Sequence, residues 1–178
     1  MVNNLIIARL VELIRAPLDH SDLLWITLPL IITLILMELY FGRYRDEELG
    51  WNTAVGNSLI LVFVSMDLFR FLWNSTPEPT IIKVIWLNFT KSLLIFFLGL
   101  GSLWLLIADF FHFIPKKVAF FLSSSLTIKL IAYITIVIVY TDIPIDLATF
   151  FASIMLFLLL LGIFRVIQFF EPIYVRER

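Results

Sequence analysis

Leu147 to Phe170 reads LATFFASIMLFLLLLGIFRVIQFF, twenty-four residues in which Arg165 is the only charge. At ~1.5 Å per residue an unbroken helix of this length reaches about 36 Å, more than a ~30 Å hydrocarbon core. Its apolar residues occupy every side of the helical wheel instead of one stripe, so the solvent it is suited to is lipid. Four segments of the same kind precede it, at approximately 22–40, 52–73, 84–109 and 118–141.

The separators between these segments make physical sense. Gly42 to Trp51 is a charged, aromatic turn, Asn74 to Pro79 holds two prolines, Pro115 precedes Lys116 and Lys117, and Pro144 sits between Asp142 and Asp146. Connections this short force neighbouring helices to run antiparallel. Whole-chain composition agrees: 61% of residues are hydrophobic and 15% charged, against roughly 25% charged in an ordinary soluble domain. Mean hydropathy is +1.02. The expected fold is therefore an all-α integral membrane protein, a bundle of about five transmembrane helices forming one domain over residues 1–178. No internal repeat or low-complexity tail divides it.

Ahead of the first span, residues 3–16 place Ile6, Ile7, Leu10, Leu13 and Ile14 on one helical face with Arg9, Glu12 and Arg15 opposite, and Pro17 follows as a stop. This predicts a short amphipathic helix about 20 Å long, too short to cross the bilayer and expected to lie in the interface or against the bundle. Met1 to Ala16 lacks a basic start, a continuous apolar core and a small-residue cleavage site, so targeting falls to the first spanning helix.

Five spans put the termini on opposite sides. Arg43, Arg45, Lys116, Lys117, Arg176 and Arg178 share one side and Arg9, Arg15 and Lys83 the other; the excess of cations on the cytoplasmic side predicts a cytoplasmic C-terminus and an outside N-terminus. Trp25, Tyr40, Trp51, Trp73 and Trp86 fall near span ends, where an amphipathic ring suits the headgroup layer.

Several function classes are disfavoured. A net charge of −1 without a run of like charge gives no footprint for nucleic acid. The chain has no cysteine, and its two histidines, His20 and His112, stand far apart, so no metal site is expected. Phosphate-binding loops, nucleophile elbows and HExxH are missing from the sequence. Asp142 and Asp146 flank a proline just before a helix start, which suits turn and N-cap roles better than acid/base work. Asn74-Ser75-Thr76 fits the glycosylation pattern but lies almost at the membrane surface. Neither a catalytic residue, a cofactor nor a soluble small-molecule substrate is assigned.

The informative residues are charges inside the spans. An ionisable group near mid-bilayer costs about 2.5 to 3.5 kcal/mol on insertion scales, so it faces a partner or a wet cavity. Asp67, Arg70, Lys91 and Lys129 meet this description best, whereas Glu38, Asp109 and Arg165 lie near span ends where they can snorkel. Counting residues from the span ends puts Asp67 and Lys91 level on consecutive antiparallel helices, with Arg70 one turn shallower. An Asp67, Arg70 and Lys91 clasp is the expected constellation. Helical wheels add Asn57 to the polar stripe of the second span, Asn88, Ser102 and Asp109 to that of the third, and Ser125, Tyr133 and Tyr140 to the face of Lys129 in the fourth. Lys129 must find another carboxylate, such as one from a neighbouring copy, or lose its proton.

Pro29, Gly99 with Gly101, and Ser123 to Ser125 mark places where a helix can bend or break. Ala148 and Ala152, four apart, suit close helix packing. In the loop from Glu38 to Asn52, the residues Glu38, Tyr40, Arg43, Arg45, Glu47, Glu48 and Trp51 are candidates to contact headgroups or a partner. The first functional expectation is a structural or interaction subunit of a membrane assembly, surrounded by lipid and joined to further copies or other membrane subunits. The alternative is a small channel or ion- or proton-coupled transporter using the same intramembrane charges.

Overall fold

A computed structural model describes residues 2–44 and 50–170 of the chain. Its elements are α1 (Val2–Asp19), α2 (Ser21–Arg43), α3 (Trp51–Ser75), α4 (Ile81–Leu87), α5 (Phe89–Phe110), α6 (Lys116–Leu122), α7 (Ser125–Tyr140) and α8 (Leu147–Phe170). Among the described residues there is no strand. Five segments are long and apolar enough to cross a membrane: α2, α3, α5, α6 together with α7, and α8.

The expected third and fourth spans are each built from two helices. Asn88 separates α4 from α5, and Ser123 with Ser124 separates α6 from α7. The second break has a local cause. Serine hydroxyls compete with the helix for backbone partners, and here Ser124, extended at φ −64° and ψ 153°, caps α7 by accepting from the Thr127 N–H at 3.3 Å. Gly99 and Gly101 leave α5 unbroken. Gly99 instead permits close approach to α3, since a Cβ there would meet Ser65 Oγ at 3.3 Å. Pro29 likewise sits inside a continuous α2.

The α6–α7 segment is the middle of the bundle: 67% of its most apolar stretch is buried, against 17% to 33% for the other four segments. Ile128, Ala132, Ile136, Val137 and Val139 are fully or almost fully enclosed. The most extensive helix pairing is α3 with α5, and α7 packs against α2 and α3 on its other sides.

Pro17 does not stop the first helix, which continues to Asp19. Proline removes the N–H that would bond the carbonyl four residues earlier, here that of Leu13. The Tyr133 hydroxyl, from the middle of α7, donates to that Leu13 carbonyl at 2.7 Å. The tertiary fold therefore satisfies the group that proline orphans, and the helix runs on. α1 packs on the bundle: Leu10, Leu13 and Ala16 are buried, while Ile7 and Ile14 are about half exposed. The buried face is thus rotated from the expected one toward Ala16, because α1 lies along α8. Ala152, fully buried in the same cluster as Leu13, makes room for this contact within the chain.

Candidate functional site

The polar groups sort into three places, which differ from those the wheels predicted. The tightest lies at the α6–α7 break. Ser58, two turns into α3, donates from its hydroxyl to Asp109 Oδ2 at 2.7 Å, and Ser123, in the break itself, donates to the same oxygen at 2.5 Å. The two hydroxyl oxygens are 3.3 Å apart. Asn57 ties the break to α3 by donating from Nδ2 to the Ser123 carbonyl at 2.8 Å. Asp109, expected to snorkel from the end of its span, is instead 0% exposed, as is Ser58. Packing of α3 on α5 closes over the carboxylate before it reaches the surface. Both hydroxyls converge on Oδ2; Oδ1 is buried and accepts from no donor among the described residues.

The second place surrounds Lys129, which is 4% exposed and donates to the hydroxyl of Ser125 one turn back. Among the described residues no carboxylate stands within ion-pair distance of its ammonium. Gln168 of α8 donates to the Glu38 carbonyl at 3.0 Å, joining α8 to α2. Beside Lys129 a lateral crevice of about 460 Å³ opens between α2, α7 and α8, lined by Leu30, Leu34, Tyr133, Leu160 and Phe164 among others. Across Phe164 a second cavity of about 390 Å³ contains Glu38, Arg165 and Gln168.

At the opposite end of the bundle the expected clasp comes apart. Arg70 pairs with Asp67 at 2.5 Å along α3, with Arg70 73% exposed. Lys91 leaves them and donates to the Thr141 carbonyl at 2.9 Å, with Asp142 at 3.8 Å. Being level in depth did not make these side chains neighbours, because α3 buries its Ser58, Ser65 and Leu68 face and turns Arg70 outward. Asn88 reaches the Thr76 hydroxyl at 3.4 Å, and Ser102 returns to the Gly99 carbonyl of its own helix. Asp146 caps α8: the Thr149 N–H donates to its Oδ1 at 2.8 Å, and this bond holds the Asp146 carboxyl below the usual carboxylate range.

Around the Glu38–Asn52 loop, Tyr40 packs against Phe41 and Tyr44, and Arg43 is exposed. Trp51 stacks on His112 with ring centroids 4.0 Å apart and meets the edge of Phe120 at 5.1 Å, so it fixes the start of α3 to the α5–α6 turn. Arg45, Glu47, Glu48, Arg176 and Arg178 lie outside the described residues. Among the described residues no three acids or histidines gather as a metal site.

Compared with known protein families, curated proteins and solved structures, the chain matches none. Function therefore rests on the geometry. Ser58 and Ser123 were missed as partners of Asp109. The run Ser123 to Ser125 signalled the break, whereas Ser58 carries no sequence signal because a lone serine in an apolar helix normally bonds its own backbone.

Proposed function

We propose that the chain is a multi-pass integral membrane protein working as an interaction subunit of a membrane assembly, with its C-terminus in the cytoplasm. Insertion is supported by the outward faces of the bundle. Phe96, Phe97 and Trp104 of α5 and Phe150, Phe151 and Leu158 of α8 are each 51% to 63% exposed, a density of apolar surface that a water-soluble monomer avoids.

The observation that carries the interaction reading over a pathway is the seal between the two polar ends. Between the Asn57, Ser58, Asp109, Ser123 group and the Lys91, Thr141, Asp142 group stand Leu61, Leu68, Leu105, Ile128, Ala132 and Ile136, all buried and all apolar. A conducting route needs a hydrated or polar lining through this layer, and the polar groups buried at this depth are turned to their own helices: Ser65, Ser102 and Thr135 each donate to a carbonyl three or four residues back, and Lys129 donates to the Ser125 hydroxyl.

Lipid is one partner that the shape admits. The crevice follows α2 from Leu30 to Leu39 and α8 from Leu156 to Ile167, roughly 15 Å at 1.5 Å per residue. Its lining is aliphatic and aromatic apart from Lys129 and the Tyr133 hydroxyl, which suits an acyl chain; protein partners would engage the outer faces or the Glu38–Asn52 loop.

The test is to purify the full chain in mild detergent, weigh it with its co-purifying subunits and lipids, and reconstitute the same sample for flux. A defined complex without flux supports the proposal; flux of an ion or solute abolished by Lys129→Ala overturns it. Orientation rests on Arg43, Arg45, Lys116, Lys117, Arg176 and Arg178 set against Arg9, Arg15 and Lys83. Because the chain has no cysteine, one cysteine added after Arg178 reports the side directly: labelling by an impermeant reagent in intact cells would reverse the assignment.

A further inference from the structure

Beyond that reading, the geometry points to a monovalent cation site at the α6–α7 break: we propose that Asp109, Ser58 and Ser123 hold a sodium ion. Two hydroxyls donate to one oxygen of the carboxylate, at 2.5 and 2.7 Å, and an ionised carboxylate is acceptor-only. An ionised carboxylate at 0% exposure is costly unless something positive meets it. The ion pairs formed among the described residues lie elsewhere: Arg9 with Glu12, Arg70 with Asp67, Lys83 with Glu78 and Lys91 with Asp142. The nearest basic residues in sequence, His112, Lys116 and Lys117, are exposed.

Three further features specify the ligand. Oδ1 is buried and accepts no hydrogen bond among the described residues, so the half of the carboxylate that the hydroxyls leave bare is open to a cation, which can reach Oδ2 as well. Asp109 lies in the last turn of α5, where the negative end of the helix dipole disfavours a second negative charge and favours a positive one. The donors are hard oxygens from one carboxylate and two hydroxyls, which suit a small hard cation. One carboxylate balances one positive charge, so a divalent ion would leave a surplus in a dry interior. With the two hydroxyl oxygens only 2.5 and 2.7 Å from Oδ2, the ligands that would meet a cation on this carboxylate are set close together, which favours a small ion over a large one. Each hydroxyl keeps its donor bond to Oδ2 and offers a lone pair.

The experiment uses the full chain in detergent micelles at constant ionic strength, replacing choline chloride stepwise by sodium chloride or by potassium chloride, with the unfolding midpoint as readout. The expected result is a saturable rise with sodium, little with potassium, loss of the sodium response in Asp109→Asn, and at least a tenfold weaker apparent affinity in Ser58→Ala. Should Asp109→Asn fail to fold, sodium-23 relaxation of the wild-type chain, compared with Ser58→Ala and Ser123→Ala, reads the same site: broadening that fades in both variants supports it. A midpoint indifferent to sodium against choline overturns the proposal. So does a sodium response kept in full by Asp109→Asn, or an infrared spectrum in which Asp109 is a protonated acid with or without sodium.

Discussion

Replacing Tyr133 by phenylalanine removes one hydroxyl, and the structure indicates what that should cost. The hydroxyl donates at 2.7 Å to the carbonyl of Leu13, a residue 0% exposed, whose ordinary helical donor would be the N–H of residue 17. That residue is proline. Without Tyr133 the carbonyl is buried and unsatisfied, at a cost of about 1–3 kcal/mol, or roughly 5-fold to 150-fold in the folded-to-unfolded ratio. Interhelical hydrogen bonds within membranes average only about 0.6 kcal/mol, because the unassembled helices find other partners. Here the isolated α1 has no such alternative at Leu13, which places the expected value above that average.

The control lies in the same sequence. Pro17→Ala returns an N–H to position 17, so in that background Tyr133→Phe should cost no more than about 0.6 kcal/mol, and a double-mutant cycle should give a coupling of roughly 0.5–2 kcal/mol. Unfolding of the four proteins in detergent measures the cycle. Proteolysis near His20, between α1 and α2, measures whether α1 detaches first. Equal losses from Tyr133→Phe in the wild-type and Pro17→Ala backgrounds would refute the reasoning, since the hydroxyl would then not be replacing the donor that proline lacks.

Ala152→Leu should overpack the fully buried α1–α8 contact and lower stability by about 1–3 kcal/mol, read as a lower unfolding midpoint and faster cleavage of α1. Asp67→Asn breaks only an exposed pair one turn apart and should change stability by at most about 0.5 kcal/mol; a large loss would restore the clasp expected from the sequence. Asp146 is held below the usual carboxylate range by its bond from Thr149. Its contribution should therefore be complete above the unfolded value near ~4 and drain away as pH falls through the lower folded value. The midpoint gap between wild type and Asp146→Ala should stay constant through neutral pH and close in acid.

The number of segments long and apolar enough to span a membrane, and their limits, were legible in the sequence because hydropathy adds along the chain and needs no knowledge of neighbours. All five segments appear within a few residues of the expected bounds. The N-cap role of Asp146 was legible for a similar reason, since capping depends on residues three apart. The stop assigned to Pro17 failed where a local rule met a tertiary partner 120 residues away. Nothing in the first twenty residues announces Tyr133.

The polar groups show where a one-dimensional reading ends. Depth can be counted from the end of a span, but the direction of a side chain also depends on which face its helix buries, and no wheel supplies that when most faces are apolar. Asp67 and Lys91 were level and still found different partners. Asp109 and Ser58 lie on adjacent helices and met, because α3 and α5 pack most closely. The break at Ser123 then carries a hydroxyl and a backbone carbonyl to the same place, so that one interruption of the helix supplies both Asp109 and Asn57 with partners. A continuous helix through residue 123 would engage that carbonyl with its own backbone. The serine run is therefore better understood as the feature that makes a buried carboxylate tolerable than as a flaw in the fourth span.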